Sequence, residues 1–154
     1  MHQIAQLNLA RAKAPLDSPE LAEFMALLEP INALADGSPG FVWRLQDDDG
    51  AGATGIRIAD EDRVIVNISV WETIDALWAY VYESAHLEVM RRRREWFVHF
   101  GKPFLVLWWV PAGHEPTVAE ALERLALLES EGPSPDAFTF KERFAPAAPA
   151  PAAS

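Results

Sequence analysis

The chain opens on an alternation, with Ile4, Gln6 and Asn8 on one side of an extended backbone and Ala5, Leu7 and Leu9 on the other. That period of two predicts a strand from His2 to Leu9 with one apolar face. The period then changes. Asp17-Ser18-Pro19-Glu20 offers a capping residue, a proline suited to a first helical turn and an early acid, ahead of Leu21, Phe24, Met25 and Leu28 at helical spacing. This helix should end near Gly37. Two more strands are expected, Phe41 to Gln46 and Arg63 to Trp71, joined through Asp47-Asp48-Asp49-Gly50 and a glycine-rich stretch as a hairpin with a mobile acidic loop.

Thr73 and Asp75 open the next helical pattern, in which Ile74, Leu77, Trp78, Val81 and Ala85 form one stripe. A second pattern follows at once, from about His86 to Phe100, ended by Gly101; the two are either separate helices or one kinked helix. Pro103 to Val110 contains Phe104-Leu105-Val106-Leu107-Trp108-Trp109 and is apolar on both faces, so it should be a strand buried on both sides. Thr117 and Glu120 make a capping box before Val118, Ala121, Leu122, Leu125 and Leu128, and Gly132-Pro133 closes that helix. Phe138 to Phe144 is expected to be a short last strand. Residues 145–154 hold only Ala, Pro and Ser, a composition that predicts a disordered tail after a single domain at 1–144.

The expected order is therefore βαββααβαβ, an α+β fold close to the ferredoxin-like split βαβ, with helices on one face of an antiparallel sheet. The opposite face needs a cover. A homodimer that packs two such sheets together, as in a dimeric α+β barrel, would supply it at Phe104 to Val110.

Composition narrows the function. A chain of 154 residues suits one domain, and no apolar run reaches the roughly 20 residues that cross a bilayer. With no charged-then-apolar leader either, a cytoplasmic protein without a membrane role is expected. The absence of cysteine excludes disulfides, thiolate metal sites and cysteine nucleophiles. A formal net charge of -10 repels phosphate backbones, so nucleic acid is not an expected partner. Six tryptophans are costly to expose and should face a core, a pocket or an interface.

Asn67-Ile68-Ser69-Val70-Trp71-Glu72-Thr73, leading into a helix with Ser84-Ala85-His86, resembles the dimeric α+β barrel superfamily of antibiotic-biosynthesis monooxygenases. Trp71-Glu72-Thr73, the segment from His86 to Phe97 with its four arginines, Leu107-Trp108-Trp109-Val110-Pro111-Ala112-Gly113-His114 and Phe138-Thr139-Phe140 together resemble DUF3291, a bacterial family of unknown function. The likeness spans nearly the whole chain. It implies the fold and dimerisation, without an established chemistry. Within the superfamily, the cofactor-free monooxygenases use an asparagine, a tryptophan four residues on and a helical arginine, to which Asn67, Trp71 and Arg91 are similar in position. Haem-degrading members imply instead Asn8, Trp78 and His86, although the spacing from Trp78 to His86 is shorter here than in those enzymes.

The residues themselves give a partly different set. At about 100 degrees per residue, Val89, Met90, Arg93, Phe97 and Phe100 fall within roughly 60 degrees of His86, whereas Arg91 lies roughly 140 degrees away. Helical geometry thus favours Arg93 as the inward arginine and the resemblance favours Arg91. The run Arg91 to Arg94 can equally be a solvated face paired with Glu88 and Glu95. His86 is either a core histidine bonded to a backbone carbonyl or a proton shuttle or axial ligand. Asn67 shares a strand face with Ile65, Ser69 and Trp71, where an unmatched amide would cost about 1 to 3 kcal/mol. Trp71, Trp78, Tyr82 and Trp96 either fill the core or wall a flat pocket.

Four scattered histidines without a carboxylate cluster predict no metal site, and His114 reads as a loop residue at a helix entrance. The leading expectation is a homodimeric enzyme that binds a hydrophobic aromatic or polycyclic molecule without a cofactor. Asn67 and an inward arginine would hold an oxyanion, and His86 would move a proton. The alternatives are a haem protein with His86 as ligand and a non-catalytic binding or assembly module.

Overall fold

The structure, a computed structural model, describes residues 2–15, 18–45, 64–84, 86–98 and 104–146. Four strands form one antiparallel sheet: β1 (His2–Arg11), β2 (Phe41–Arg44), β3 (Val64–Trp71) and β4 (Leu105–Pro111), in the spatial order β2-β3-β1-β4. The helices are α1 (Ala22–Asp36), α2 (Ile74–Glu83), α3 (His86–Arg91), α4 (Arg93–Trp96) and α5 (Val118–Glu131). This is the ferredoxin-like α+β arrangement expected from the order of patterns.

Register explains which residues share a face. Ile4 pairs with Trp71 and Trp109, Gln6 with Ser69 and Leu107, and Asn8 with Asn67 and Leu105. Alternation therefore puts Ile4, Gln6, Asn8, Ile65, Asn67, Ser69 and Trp71 on one face, toward α1 to α4. The other face carries Ala5, Leu7, Val66, Ile68, Val70, Val106, Trp108 and Val110, all within one core cluster with Ala121, Leu125 and Leu128 of α5.

That second face departs from the expectation. Leu107 of β4 packs with Ile4, Trp71 and Phe138, while Val106 and Trp108 pack with α5. The doubly apolar strand thus has packing partners on both sides within one chain.

Local signals account for most element ends. Thr73 and Thr117 each accept a hydrogen bond from the backbone N–H three residues on, at 3.0 and 3.1 Å, capping α2 and α5. The capping box at α5 is not reciprocal, because the Glu120 carboxylate accepts instead from Trp108 Nε1 at 2.9 Å and meets His114 Nε2 at 2.6 Å. Burial raises the Glu120 pKa, and these two hydrogen bonds outweigh it and hold the carboxyl below its usual range. Gly40 sits at φ +81°, and a Cβ there would stand 2.5 Å from the Ala76 Cβ, so this glycine lets α2 approach β2 closely.

Two expectations are corrected. The pattern from Thr73 onward is neither one kinked helix nor two helices but three segments, broken at an extended Ser84 and again at Arg92. Ser84 Oγ donates to Tyr80 O and accepts from His86 N at 3.2 Å, satisfying backbone groups on both sides of the first break. Phe138 to Phe144 is not a strand; Phe138 alone bridges Leu107, through two backbone bonds of 2.7 and 2.9 Å. The acidic loop at 47–50, the ends expected at Gln46, Arg63, Phe100 and Gly101, and residues 147–154 lie outside the described residues.

Candidate functional site

Between the helix-facing side of the sheet and α1 to α4 lies a cavity of about 170 Å³. The sheet contributes Asn8, Ala10, Ile65 and Asn67; α1 contributes Phe24, Leu28, Ile31 and Asn32; Tyr80 lies at one side. His86, Val89, Met90, Arg93 and Phe97 complete the wall. These last five are the described positions that the helical wheel places around His86. The inward stripe survives the break at Arg92 because i→i+3 backbone bonds, Arg92 N to Val89 O and Glu95 N to Arg92 O, carry the chain through it in a tighter turn. Phe97 is then pinned to the end of β1 by Lys13 N to Trp96 O at 2.8 Å and Val98 N to Arg11 O at 2.9 Å.

A row of polar side chains crosses the sheet floor. Gln6 Nε2 donates to Asn67 Oδ1 at 2.5 Å and to Ser69 Oγ at 2.8 Å, and Trp71 Nε1 donates to the same hydroxyl at 2.9 Å. Asn67 is therefore matched on its oxygen. Its neighbour across the ladder is not, since Asn8 Oδ1 is buried without a hydrogen-bond partner among the described residues. An unmatched buried acceptor costs about 1–3 kcal/mol, which a purely structural core has no reason to retain.

The histidine is bonded to a carbonyl and also faces the cavity. His86 Nδ1 lies 3.2 Å from Val81 O, which assigns the proton to Nδ1 and leaves the Nε2 lone pair free. Burial lowers its pKa, more than the bond to Val81 raises it, so the ring is neutral near pH 7. Tyr80 packs 4.8 Å from the His86 ring on one side and stacks on Trp71 at 5.1 Å on the other. Its hydroxyl donates to Ile31 O at 3.2 Å, and burial raises its pKa, so the phenol keeps its proton.

The four arginines divide sharply. Arg91 is exposed and paired with Glu88 at 3.0 Å; Arg92 is held by Glu23 at 2.5 Å and Glu95 at 2.8 Å; Arg94 is exposed. Arg93 alone of the four lines the cavity, with its guanidinium 4.8 Å from the centre of the Phe104 ring and no carboxylate partner among the described residues. An unneutralised cation beside a partly apolar void is an anion-binding arrangement.

The tryptophans lie elsewhere. Trp71 is fully buried behind Tyr80, and Trp96 is buried against Phe24 at 5.4 Å. Trp78 is 37% exposed on the outer side of α2, where it packs with Tyr82, Phe140 and Arg143. None of these four residues, Trp71, Trp78, Tyr82 and Trp96, lines the cavity. Its aromatic wall is Tyr80, Phe24 and Phe97. On a helical wheel Tyr80 lies about 60 degrees from the buried Leu77, on the opposite side from the stripe of Ile74, Trp78, Val81 and Ala85, which is why that stripe pointed to Trp78 instead.

A space of roughly 150 Å³ holds one benzene ring, so the cavity has room for a monocycle. Among the described residues no three His, Asp or Glu side chains gather as a metal-holding group, and no helix is long and apolar enough to cross a membrane.

Fold and cavity define a ferredoxin-like α+β protein with a polar-lined pocket between sheet and helices. The chain matches the domain of unknown function DUF3291 over residues 3–153, and it belongs to that family. No curated protein matches it. Similar solved structures include SnoaB, a cofactor-independent oxygenase from Streptomyces nogalater, at 20% identity over 78% of this chain and 100% of that chain, with a TM-score of 0.49. Another is a protein of unknown function from Nitrosomonas europaea, at 16% identity over 76% of this chain and 97% of that chain, with a TM-score of 0.47.

Proposed function

We propose that the protein binds a single-ring aromatic molecule carrying an acidic hydroxyl and a second hydroxyl or amine, and that it favours the ionised form of the acidic hydroxyl while the second group donates to Asn8. The observation that carries this reading is Asn8 Oδ1, without a hydrogen-bond partner among the described residues, in the wall of a cavity that also holds Arg93, which has no carboxylate partner among them. Each group asks for something different from a ligand. Arg93 offers charge-assisted donors to an oxyanion, Asn8 accepts from a hydroxyl or amine, and His86 Nε2 accepts a proton. Apolar contact from Ile65, Leu28, Met90 and Phe97 suits a ring.

The reactive step within reach of these residues is proton transfer: His86 Nε2 takes the hydroxyl proton, and the resulting phenolate rests on the Arg93 guanidinium. Asn67 lies beside Asn8 and orients the ring through the Gln6 network. A deprotonated, electron-rich ring is also the species on which a cofactor-free oxygenation would begin. The same arrangement without turnover is a phenol-binding module.

The test is spectroscopic. 4-Nitrophenol, whose ionised form is coloured, is added near its own pKa; binding is expected to increase the phenolate absorbance, saturably, with an apparent pKa lowered in the complex. Arg93→Gln should remove that increase while leaving the circular dichroism spectrum unchanged. Absence of any saturable absorbance or heat signal with the folded native protein contradicts the reading.

A further inference from the structure

On the other side of Ile31 and Val89 from the cavity lies an open cleft of about 370 Å³, lined by Leu27, Pro30, Ile31, Leu34, Val89 and the stems of Glu88 and Arg92. The two spaces share Ile31 and Val89. Helical spacing explains the sharing: α1 turns Phe24, Leu28, Ile31 and Asn32 inward and Leu27, Pro30, Ile31 and Leu34 along the next stripe. In α3 the inner stripe is His86, Val89 and Met90, and the outer one is Glu88 and Val89, continued by Arg92 at the break before α4. Each helix thus presents two adjacent stripes that meet at one residue, and the two meeting residues form the partition.

The two spaces differ in chemistry. The amides, the imidazole and the unpaired cation all belong to the inner cavity. The outer cleft has no free charge to offer, because Glu88 is paired with Arg91 and Arg92 is held by Glu23 and Glu95. Leu27, Ile31 and Leu34 are only half-buried, and Pro30 is exposed. Helix α1 therefore carries a second apolar stripe that its own sheet does not cover. Pro30 also has no N–H for Ala26 O, so the wall beside the partition lacks one helical bond.

We infer that the ligand is bipartite, with a hydroxylated ring in the inner cavity and an uncharged apolar extension that passes between Ile31 and Val89 into the α1–α3 cleft. This rests on the reading above, and it adds the substrate class: an alkyl- or aryl-substituted phenol, with the substituent opposite the hydroxyl. The inner cavity holds one ring, and the hydroxyl is fixed at Arg93. A longer molecule finds apolar cover across the shared partition, where Leu27, Ile31, Leu34 and Val89 line the adjoining cleft.

The experiment is a chain-length series, 4-ethylphenol to 4-octylphenol, titrated calorimetrically into the native protein, Leu34→Trp and Arg93→Gln. Leu34 lines only the outer cleft, and a tryptophan there fills it. In the native protein, affinity is expected to rise about fourfold for each methylene that enters the cleft, the increment set by about 0.8 kcal/mol per buried CH₂. In Leu34→Trp the rise should vanish while 4-ethylphenol binds as before, and Leu34→Gln should reduce the slope if the larger residue disturbs folding. Arg93→Gln should weaken every member equally. Flat affinity along the series, or a slope that both Leu34 variants leave intact, overturns the bipartite ligand and leaves the inner-cavity reading standing. If no member binds the folded protein, both fall.

Discussion

The two faces of the sheet are made by the same strands and have been finished differently. Toward α5, every side chain of the core cluster is apolar, and Val66, Ile68, Val70, Val106 and Trp108 are at most 1% exposed. Toward α1 to α4, the same strands place Gln6, Asn8, Asn67 and Ser69 in a row beside a cavity. Period-2 alternation assigns residues to a face but does not require one face to be wet. The dry face holds the fold, and the polar face gives up stability by keeping polar groups beside a void, which the function proposed above explains as a place for a ligand.

The largest expected effect separates the faces directly. Leu125→Ala, on the dry face, should lose about 2–5 kcal/mol in chemical denaturation, since it opens a void in a filled core. Met90→Ala, beside an existing void, should lose less than about 2 kcal/mol, because atoms lining a cavity forfeit less packing. Equal losses would mean that the cavity is closed up in solution.

Next comes Asn8→Leu. If Asn8 Oδ1 is retained for a ligand, Asn8→Leu should raise stability by about 1–3 kcal/mol and weaken 4-nitrocatechol, whose second hydroxyl can donate to Asn8, more than 4-nitrophenol, whose phenolate has no proton to donate. A destabilised variant would show that Asn8 is a structural residue.

Much of this contrast was legible in the sequence. The alternation through Ile4, Gln6 and Asn8 and the spacing from His86 to Phe97 were local, and local patterns survive folding. The role of α5 was not legible, because a capping box and an apolar stripe state that a helix is buried without naming the face it covers. Nor could sequence show that Gln6 would reach across to Asn67 Oδ1 and Ser69, so that the unmatched amide would be Asn8 instead of Asn67. That exchange depends on strand register, which pairs residues 61 positions apart. Among the four arginines, helix geometry placed Arg93 inward, whereas Arg91, favoured by resemblance, lies on the surface with Glu88.

A smaller effect tests the dry face from its edge. Thr117→Ala removes the cap of α5 and should cost about 1 kcal/mol, read as a shift in denaturation midpoint without a change in slope. Ligand affinity should not change, because α5 touches only the other side of the sheet. Weakened binding would show that the two faces are coupled.

The smallest expected effect is a slope. Burial depresses the His86 pKa in the folded chain, so below about pH 6.5 the unfolded chain takes up a proton that the folded chain does not. Stability should therefore fall as pH drops from about 6.5 toward the folded value, and His86→Gln should flatten that part of the profile. An unchanged profile would place His86 in contact with solvent.

The most direct test of the account is a crystal structure of the protein with 4-nitrophenol. The ring is expected between Ile65 and Met90, with its phenolate oxygen about 3 Å from the Arg93 guanidinium and within hydrogen-bond reach of His86 Nε2. The nitro group should point at the gap between Ile31 and Val89. An inner cavity empty of ligand, with the ring bound instead on the exposed Trp78 and Phe140 surface, would contradict it.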